Sequence, residues 1–324
     1  MAPVSTFRAY RYTRDAELDE IAQLINTCRA ADNLENRTSA TRLQENFADP
    51  EFDITCDLRL WRNSTGDLVA AAALWQLMPE QMVLGRLEFE IHPQVCKDGL
   101  VDDVLTWAEQ RLRETGQDKT LPIVLHSACR DSLPGRQSLL TQSGFTPERY
   151  FFRLQRSLHP PIPFPQIPDG WRIRSVDSQK DARAWVDMFN QTFVDHWNHH
   201  PMTVEAFYYY ETLSTYTPTL NRVIETPDGQ LVTFCVSQID PERNARLGLK
   251  EGHVCLLGTR RGYRRLGLAR SLLLESLQQL KAAGMETATI GVDAQNPLGA
   301  LGLYESIGFQ KVRSSTVFRK TVAR

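Results

Sequence analysis

A basic, glycine-containing segment at residues 257–270 carries the clearest chemistry in the sequence. It reads LGTRRGYRRLGLAR and joins an apolar run that predicts a strand to a leucine pattern of helical spacing that begins at Gly267. Backbone N–H groups at a helix N-terminus attract phosphate, and a glycine there lets an anion approach the main chain closely. The segment therefore predicts a phosphate or pyrophosphate site, although its spacing is neither Walker A nor the dinucleotide-binding pattern. Five arginines are expected around the site: Arg260, Arg261, Arg264, Arg265 and Arg270.

The elements around this segment alternate between strand and helix patterns through the second half of the chain. Strands are predicted at 171–176, 219–225, 231–240, 251–259, 287–292 and 316–320, and helices at 181–195, 203–210, 268–283 and 297–306. Alternation along the fourth strand places Val254, Leu256 and Gly258 on one face, and Asn296 is a typical N-cap for the last helix. The order predicts an α/β domain with a mixed sheet, antiparallel at its start and ending in a βαβ unit.

The two halves of the chain carry the same signals in the same order. Three pairs of matching glycines are 163, 168 and 164 residues apart: Gly66 with Gly229, Gly99 with Gly267, and Gly144 with Gly308. A nearly constant offset indicates tandem duplication. Five of the 17 prolines lie between residues 160 and 168 and predict a semi-rigid linker. We therefore predict domains at 1–158 and 170–324, joined by a linker at 159–169.

Composition restricts the classes of protein to which the chain can belong. Apolar residues make up 42% of the 324 residues, which is enough for two full cores. The net charge of −2 argues against a protein that holds nucleic acid or an anionic membrane by bulk positive charge. No apolar run approaches the ~20 residues that span a bilayer, and the N-terminus lacks a secretory apolar region. Six cysteines without a CxxC pair are typical of the reducing cytoplasm.

The segment that predicts the phosphate site resembles the GNAT superfamily of acyl-CoA-dependent N-acyltransferases. Residues 264–269 match the family signature Q/R-x-x-G-x-G/A, and Asn296, Tyr304 and the Gly308-Phe309 pair match a second family motif. Together with the order of the elements, the two motifs cover nearly all of residues 170–320. The length of the whole chain adds a resemblance to tandem GNAT proteins, the group that includes mycothiol synthase. The resemblance implies two tandem GNAT-type domains of the α/β class, each with a mixed sheet.

The resemblance also assigns roles along the two motifs, with acetyl-CoA (coenzyme A) as the implied co-substrate. The main chain of Leu256, Leu257 and Thr259 is expected to pair with the acetyl and pantetheine arm, and Asn296 to contact the pantetheine. Tyr304 is expected to protonate the leaving thiolate, and the alternative is an aromatic residue that only packs in its helix. The pyrophosphate is expected at the helix start, on the residues Arg264, Arg265, Leu266, Gly267, Leu268, Ala269 and Arg270.

The base that takes a proton from the attacking amine stays open at the level of sequence. Some GNAT enzymes place a glutamate eleven residues before the signature, and this chain has His253 at that position. An unperturbed imidazole has a pKa of about 6.5, which suits a base near neutrality. Glu251 lies two residues earlier, on the same strand face. A base that acts through water, or direct attack by a free amine, would fit the sequence as well.

The segment DHWNHHP at residues 195–201 combines carboxylate, imidazole and indole groups. In the GNAT fold the segment between the first two helices borders the substrate cleft, so the resemblance implies that Asp195, His196 and Trp197 contact the acceptor. A plain helix end is the alternative. His196 and His200 have the spacing of a metal-binding pair, but Pro201 ends the helix and no third ligand is evident. We therefore expect no metal.

The first half resembles a copy in which the CoA motif has degenerated. Gly99 is kept, but Cys96 stands where the second half has Arg264, and Leu140 stands where it has Tyr304. We expect this domain to have weakened or no CoA chemistry and to complete the acceptor cleft of the second half. Carboxylates that would repel a pyrophosphate crowd the helix start, at Asp98, Asp102 and Asp103.

Three interpretations of the function follow from the resemblance. The leading one is a cytoplasmic N-acetyltransferase, a monomer or weak homodimer, that moves acetyl from acetyl-CoA to a primary amine of a small molecule by direct attack. The second is a mycothiol-synthase-like enzyme that acetylates a cysteinyl amine. The third is a CoA-responsive binding protein without turnover. Cys255 lies on the strand near the site, where we expect a buried structural thiol rather than an acyl carrier.

Overall fold

The computed structural model describes residues 7–77, 79, 81–95, 99–117, 120–296 and 298–323. The chain divides into two compact units, one made of residues 1–148 with 316–324 and the other of residues 149–315. The proline-rich segment 159–169 therefore lies inside the second unit, not between two domains as the sequence predicts. The boundary also differs at the C-terminus, since the last nine residues belong to the first unit.

The first unit combines a mixed sheet with five helices among the described residues. Its strands are β1 (Arg8–Arg11), β2 (Leu58–Arg62), β3 (Leu68–Leu77), β4 (Val83–Ile91) and β5 (Ile123–Arg130), and its helices are α1 (Ala16–Ala31), α2 (Ala40–Phe47), α3 (Ile54–Asp57), α4 (Leu100–Thr115) and α5 (Pro134–Gln142). The strands pair in the order β1-β2-β3-β4-β5, and β4 with β5 is parallel. As predicted, Gly99 opens α4 and Gly116 follows its end.

The second unit has the predicted α/β plan. Its strands are β6 (Thr146–Ser157), β7 (Arg172–Ser175), β8 (Asn221–Glu225), β9 (Leu231–Ile239), β10 (Glu251–Thr259), β11 (Thr287–Asp293) and β12 (Gln310–Val322), of which β6 and β12 extend into the first unit. Its helices are α6 (Ser178–Phe193), α7 (Val204–Thr212), α8 (Pro241–Leu247), α9 (Leu268–Ala282) and α10 (Ala300–Ser306). The strand order is β6-β11-β10-β9-β8-β7, antiparallel except for the parallel β10 and β11, which α9 connects.

Strand β10 contains a bulge that corrects the predicted face of its side chains. The register with β9 shifts between Val254 and Leu256, so that Cys255 is an extra residue on β10. Val254 consequently packs among the leucines of α9, whereas Leu256 packs with the core under α6 and α7. The prediction that Val254, Leu256 and Gly258 share one face is therefore wrong, because simple alternation does not hold across a bulge.

Two further details differ from the sequence predictions. Helix α10 begins at Ala300 after Gly299, which has a φ of 73°, and not directly after Asn296. The Asn296 side chain instead accepts a hydrogen bond from the Leu298 N–H at 2.8 Å, and Pro297 lies outside the described residues. The short helix α8 was not predicted, because a seven-residue charged segment has too few apolar positions to show a period.

The proline-rich segment runs along α9 and adds to the core of the second unit. Ile162 and Ile167 pack against that core, and the Gln166 N–H donates to Ser271 Oγ at 3.2 Å. The Lys281 ammonium donates to the His159 carbonyl at 3.1 Å. These contacts fix the segment on the helix that begins at the predicted phosphate site.

Candidate active site

Strands β10 and β11 separate halfway along their length. They pair in parallel from Glu251 with Thr287 to Val254 with Ile290, and no further pairs are formed although β10 continues to Thr259. The other edge of β10 stays paired with β9 up to Thr259. In this part of the described sheet, the backbone groups of β10 that face β11 therefore lack a strand partner. Such an edge offers hydrogen bonds to an extended ligand that inserts between the strands.

The loop that leaves β10 ends in an exposed helix N-terminus. Arg265 has a φ of 67° and Gly267 a φ of 76°, and the first bond of α9 joins the Ser271 N–H to the Gly267 carbonyl at 3.0 Å. The N–H groups of the first helical residues have no partner within the helix. A Cβ at Gly267 would meet nothing within 4 Å, so the space in front of these groups is open. The geometry fits the anion site that the sequence predicts.

The five arginines of this segment do not all face that space. Arg260 is buried and binds the Leu231 carbonyl at 2.7 Å and Asp187 at 2.9 Å, so it ties the strand to α6. Arg261 and Arg264 both pair with Asp195, and Arg270 donates to Ser306 Oγ at 2.8 Å. Within the described residues, only Arg265 of the five has a side chain without a hydrogen bond or ion pair.

Tyr304 lies buried in α10, on the α9 side of the sheet. Its ring packs against Phe309 at 6.2 Å, and its hydroxyl forms no hydrogen bond among the described residues. Burial, with a smaller contribution from the nearby Cys235, raises the pKa of the phenol well above its ordinary value. Cys235 pairs with Leu257 of β10, so Tyr304 lies close to the open part of that strand. Asn296 lies on the connection between β11 and α10.

His253 has both ring nitrogens engaged. Its Nδ1 lies 3.0 Å from the Thr289 carbonyl, which only accepts, so Nδ1 carries the proton. Its Nε2 then accepts from Arg153 Nη1 at 3.1 Å. Burial first, and Arg153 second, lower the pKa of His253 to about 3, so the expectation of an ordinary imidazole pKa does not hold.

Glu251 lies beside His253, as predicted for two residues on one strand face. Its Oε1 is 2.8 Å from Arg243 Nη1 and 3.6 Å from Arg153 Nη2. The carboxylate is thus the anionic member of a group that contains two guanidiniums. Cys255, at the bulge, has a pKa raised to about 12 by burial, which is expected of a structural thiol and not of a nucleophile.

The residues of the segment 195–201 occupy different surroundings. Asp195 pairs with Arg261 and Arg264, which hold the pKa of its carboxyl below the usual range. Trp197 packs against Phe151 at 6.0 Å and lies under the Arg149 guanidinium at 5.6 Å. The His196 Nδ1 lies 3.0 Å from the Trp197 carbonyl. The structure therefore brings Asp195 to the loop that opens α9, and Trp197 to strand β6.

The sequence analysis missed the residues that β6 and β11 contribute. Arg153 lies opposite Gly291 in the register of these strands, and Arg149 forms a two-pronged ion pair with Asp293 at 2.7–3.1 Å. A glycine inside a strand pattern was the available signal, because it marks close approach or a bulge. Arg153 could not be predicted, because β6 precedes the proline-rich segment and its pairing with β11 is a tertiary contact.

In the first unit, β4 and β5 also separate along their length, but different side chains lie at the place where they separate. The pairing of β4 with β5 ends at Arg86 and His126, as at the end of the β10–β11 pairing. There the Arg136 guanidinium donates to the Phe89 carbonyl at 2.6 Å, on the part of β4 that lies beyond the last pair. Leu140 is fully buried in the apolar core, and Asp102 and Asp103 lie in the first turn of α4. Cys96 and Asp98, at which the sequence analysis finds differences from the CoA motif of the second half, lie outside the described residues.

Comparisons with known proteins agree with this geometry. Residues 182–309 match the model of the Acetyltransferase (GNAT) family. The mycothiol acetyltransferase of Thermobispora bispora is 29% identical over 188 residues, which are 58% of this chain and 63% of that protein. The mycothiol acetyltransferase of Frankia casuarinae is 30% identical over 184 residues, 55% of this chain and 53% of that protein. The chain thus covers less than two thirds of the length of these relatives.

Solved structures share the fold over almost the whole chain. A GCN5-related N-acetyltransferase from Sphaerobacter thermophilus has a TM-score of 0.76 at 23% identity and covers 99% of this chain and 97% of its own. A tandem GNAT protein from the clavulanic acid biosynthesis pathway has a TM-score of 0.71 at 14% identity and covers 98% of both chains. At these identities the likeness concerns the fold, which is that of two tandem GNAT-type domains.

Two findings concern other classes of site. Over the ranges that the structure describes, no helix is both long enough and apolar enough to cross a bilayer. Over the same ranges, no three side chains from His, Cys, Asp and Glu come together in a way that could hold a metal ion.

Proposed function

We propose that this chain, which contains a GNAT acetyltransferase domain at residues 182–309 within a tandem GNAT fold, transfers acetyl from acetyl-CoA to a primary amine of a small molecule. One observation carries the proposal. The open edge of β10, the open N-terminus of α9 and Tyr304, whose hydroxyl forms no hydrogen bond among the described residues, all belong to the second unit, and we infer that they line one path. A ligand with a pyrophosphate at one end and an extended amide arm at the other fits such a path.

In this proposal the chain holds the donor mainly with its backbone. The N–H groups at the start of α9, around Gly267, bind the pyrophosphate, and the Arg265 side chain adds charge. The open edge of β10 at Leu256 and Leu257 pairs with the amides of the pantetheine arm, and Asn296 contacts the same arm. When bound, acetyl-CoA supplies the thioester carbonyl that an amine attacks. Tyr304 then donates its phenolic proton to the leaving sulfur.

The acceptor amine must lose a proton to attack. His253 is poorly suited to take it, because its Nε2 lone pair already accepts from Arg153. The neighbouring guanidiniums disfavour an ammonium ion and so lower the pKa of a bound amine. We propose that the amine attacks as the free base, and that its proton passes through water to Glu251. In this scheme His253 positions Arg153.

We assign the donor site to the second unit alone. In the first unit, Asp102 and Asp103 would repel a pyrophosphate at the start of α4. The Arg136 guanidinium already donates to a carbonyl of β4 beyond the last pair of β4 with β5. Leu140 has no proton to give. A single donor site per chain is therefore expected. We further propose that the chain is a monomer or weak homodimer. The five described cysteines are all free, which supports a reducing compartment such as the cytoplasm.

A second candidate is acetylation of a cysteinyl amine in a mycothiol-type precursor. It is favoured by the names of the relatives, which are mycothiol acetyltransferases at 26–30% identity. No described side chain distinguishes a sugar-linked acceptor, so this remains a proposal based on similarity.

Calorimetric titration of acetyl-CoA tests the donor site with a matched pair of substitutions. Gly267→Glu places bulk and negative charge at the start of α9, and Gly99→Glu does the same at the start of α4. Both glycines have a positive φ, and a Cβ at either meets nothing within 4 Å, so the backbone strain is comparable. We expect one-to-one binding by the wild type and by Gly99→Glu, and its loss in Gly267→Glu.

Other results would change the proposal in defined ways. Loss of binding only in Gly99→Glu would move the donor site to the first unit. No binding by the wild type would contradict acetyl-CoA as the donor. Binding without transfer to any amine of a broad panel, followed by mass spectrometry, would favour a CoA-responsive binding protein.

A further inference from the structure

The guanidiniums of Arg153 and Arg243 lie beside His253 and Glu251, and a third guanidinium is close enough to interact with them electrostatically. Arg153 reaches Thr289 Oγ1 at 2.6 Å, in addition to His253 and Glu251. Arg243 comes from α8 and pairs with Glu251 at 2.8 Å. Arg313, on β12, lies within electrostatic range of Arg153, Arg243 and Glu251.

This arginine cluster (Arg153, Arg243 and Arg313) carries more positive charge than its surroundings balance. Glu251 is the carboxylate that acts on it, and His253 is neutral. The side chain of Arg313 forms no hydrogen bond or ion pair among the described residues. The pKa of Arg153 is lowered by burial and by the neighbouring guanidiniums of Arg313 and Arg243, so these cations destabilise one another. An anion placed among them would relieve this repulsion.

The cluster lies beside an open patch of the sheet at the point where β10 and β11 separate. Gly291 is the first residue of β11 beyond the last pair, Val254 with Ile290, and it lies opposite Arg153 in the register with β6. It is exposed although it belongs to a central strand, and a Cβ there would meet nothing within 4 Å. A small molecule that lies over Gly291 is therefore within reach of Arg153.

We infer that the acetyl acceptor carries an anionic group, a carboxylate or a phosphate, and that Arg153 and Arg313 bind this group while the amine lies over Gly291. The inference rests on the proposed function and specifies its substrate class. Arg243 is held by Glu251 and keeps that carboxylate in place. An uncharged amine would leave the cluster unbalanced, so the site selects against it.

The experiment compares amines that differ only in the anionic group. The panel consists of the L-amino acids with their carboxamides, and of O-phosphoethanolamine with ethanolamine; the first set tests a carboxylate and the second a phosphate. Acetylated products are quantified by mass spectrometry with the full chain and acetyl-CoA. We expect at least one anionic amine to be acetylated with a kcat/KM at least tenfold above that of its uncharged partner.

Substitutions assign the selectivity to the cluster. Arg313→Gln is expected to raise the KM of the anionic acceptor at least tenfold, with little change in kcat and none for the uncharged partner, and Arg313→Lys to restore most of the affinity. Arg246→Gln is the control. It also removes one positive charge, but from a residue of α8 that is not part of the cluster and pairs with Glu242. Acetyl-CoA binding is measured for every variant by calorimetry and is expected to stay unchanged.

The outcomes separate this inference from the proposed function. If acetyl-CoA binds but uncharged partners react as well as anionic ones, or no anionic amine reacts, the inference is overturned and the donor site stands. Equal losses for both partners in Arg313→Gln would also overturn it. If the wild type does not bind acetyl-CoA, both proposals are overturned.

Discussion

His253 occupies the strand position where the family resemblance implies a base, yet its contacts give it a different role. Its protonated Nδ1 faces a carbonyl, and its Nε2 accepts from Arg153. A ring held in this way stays neutral and fixes the guanidinium beside the open patch at Gly291. The residue type alone suggested a base, and only the partners from β6 and β11 decide how the imidazole is used.

The low pKa of His253 predicts an effect of pH on stability. Its folded pKa of about 3 lies below the unfolded value of about 6.5, so between these values the unfolded chain binds the proton first. The stabilising contribution is fully present above pH 6.5 and is lost as the pH falls toward 3. Between pH 7.5 and 4.5 we expect His253 to account for about 3 kcal/mol of the loss in unfolding free energy.

Denaturant unfolding of His253→Gln at the two pH values measures this contribution. The variant is expected to lose about 3 kcal/mol less than the wild type between pH 7.5 and 4.5. His159→Gln is the control, because it removes a histidine whose side chain is largely exposed. Parallel losses in the wild type and in His253→Gln would show that the imidazole keeps an ordinary pKa.

The residues of the proposed donor site follow from the sequence more directly than those of the proposed acceptor site. Gly267 and the residues around it belong to one continuous segment, so their spacing carries the signal. Arg153, Thr289 and Arg313 come from three strands that are far apart in the sequence, and their proximity depends on the strand order. The sequence analysis also placed Arg260 at the anion site. Its guanidinium instead pairs with Asp187, a tertiary contact that the sequence does not show.

At the scale of elements, most strands and helices of the second half were predicted, apart from α8 and the first six residues of β12, but the opening between β10 and β11 was not. The apolar periods fix the ends of β10 and α9 within a residue or two. The bulge at Cys255 and the end of the β10–β11 pairing at Val254 depend on neighbouring strands. A period-2 pattern describes a regular strand and cannot indicate an extra residue on one strand of a pair.

Two glycines on these strands give opposite predictions for the same substitution. A Cβ at Gly291 has open space, whereas a Cβ at Gly258 would meet Thr192 Cγ2 at 2.5 Å and the Phe234 ring at 2.6 Å. We expect Gly291→Val to keep the melting temperature and acetyl-CoA affinity of the wild type but to raise the acceptor KM at least tenfold. Gly258→Val is expected to lower stability by roughly 1–3 kcal/mol through overpacking.

Thermal unfolding, calorimetry and acceptor kinetics on both variants check this pair. A Gly291→Val enzyme with unchanged acceptor KM would show that the acceptor does not lie over β11. A Gly258→Val protein as stable as the wild type would show that α6 can move away from β10 at little cost.

At the scale of the whole molecule, the repeat in the sequence predicted two similar domains but not the membership of their last strands. Residues 149–158, which the sequence analysis assigns to the first domain, belong to the second unit, whereas residues 316–324 end the chain and belong to the first. Leu154 lies in the core of the second unit, and Phe318 in the core of the first. An offset between matching motifs cannot reveal such an exchange, because the order of the elements along the chain stays the same.

This exchange predicts that a substitution near the C-terminus weakens the N-terminal unit. Phe318 is 3% exposed and packs in the core with Leu112 and Phe145, and its neighbour Lys320 pairs with Glu109 of α4. Phe318→Ala is expected to cost about 3–5 kcal/mol of unfolding free energy in the first unit. Phe164→Ala removes the same group where it is 85% exposed, and is expected to cost less than about 0.5 kcal/mol.

Hydrogen exchange followed by mass spectrometry shows which unit responds. In Phe318→Ala, faster exchange is expected in peptides from α4 and β5, while peptides from β9 and α9 stay protected and acetyl-CoA affinity is kept. Faster exchange confined to β9 and α9 would place the last strand with the second unit and contradict the division of the chain. Because Phe318 lies near the end of the second half in sequence, a response more than two hundred residues earlier, in α4, has no local explanation and reports the exchanged strand directly.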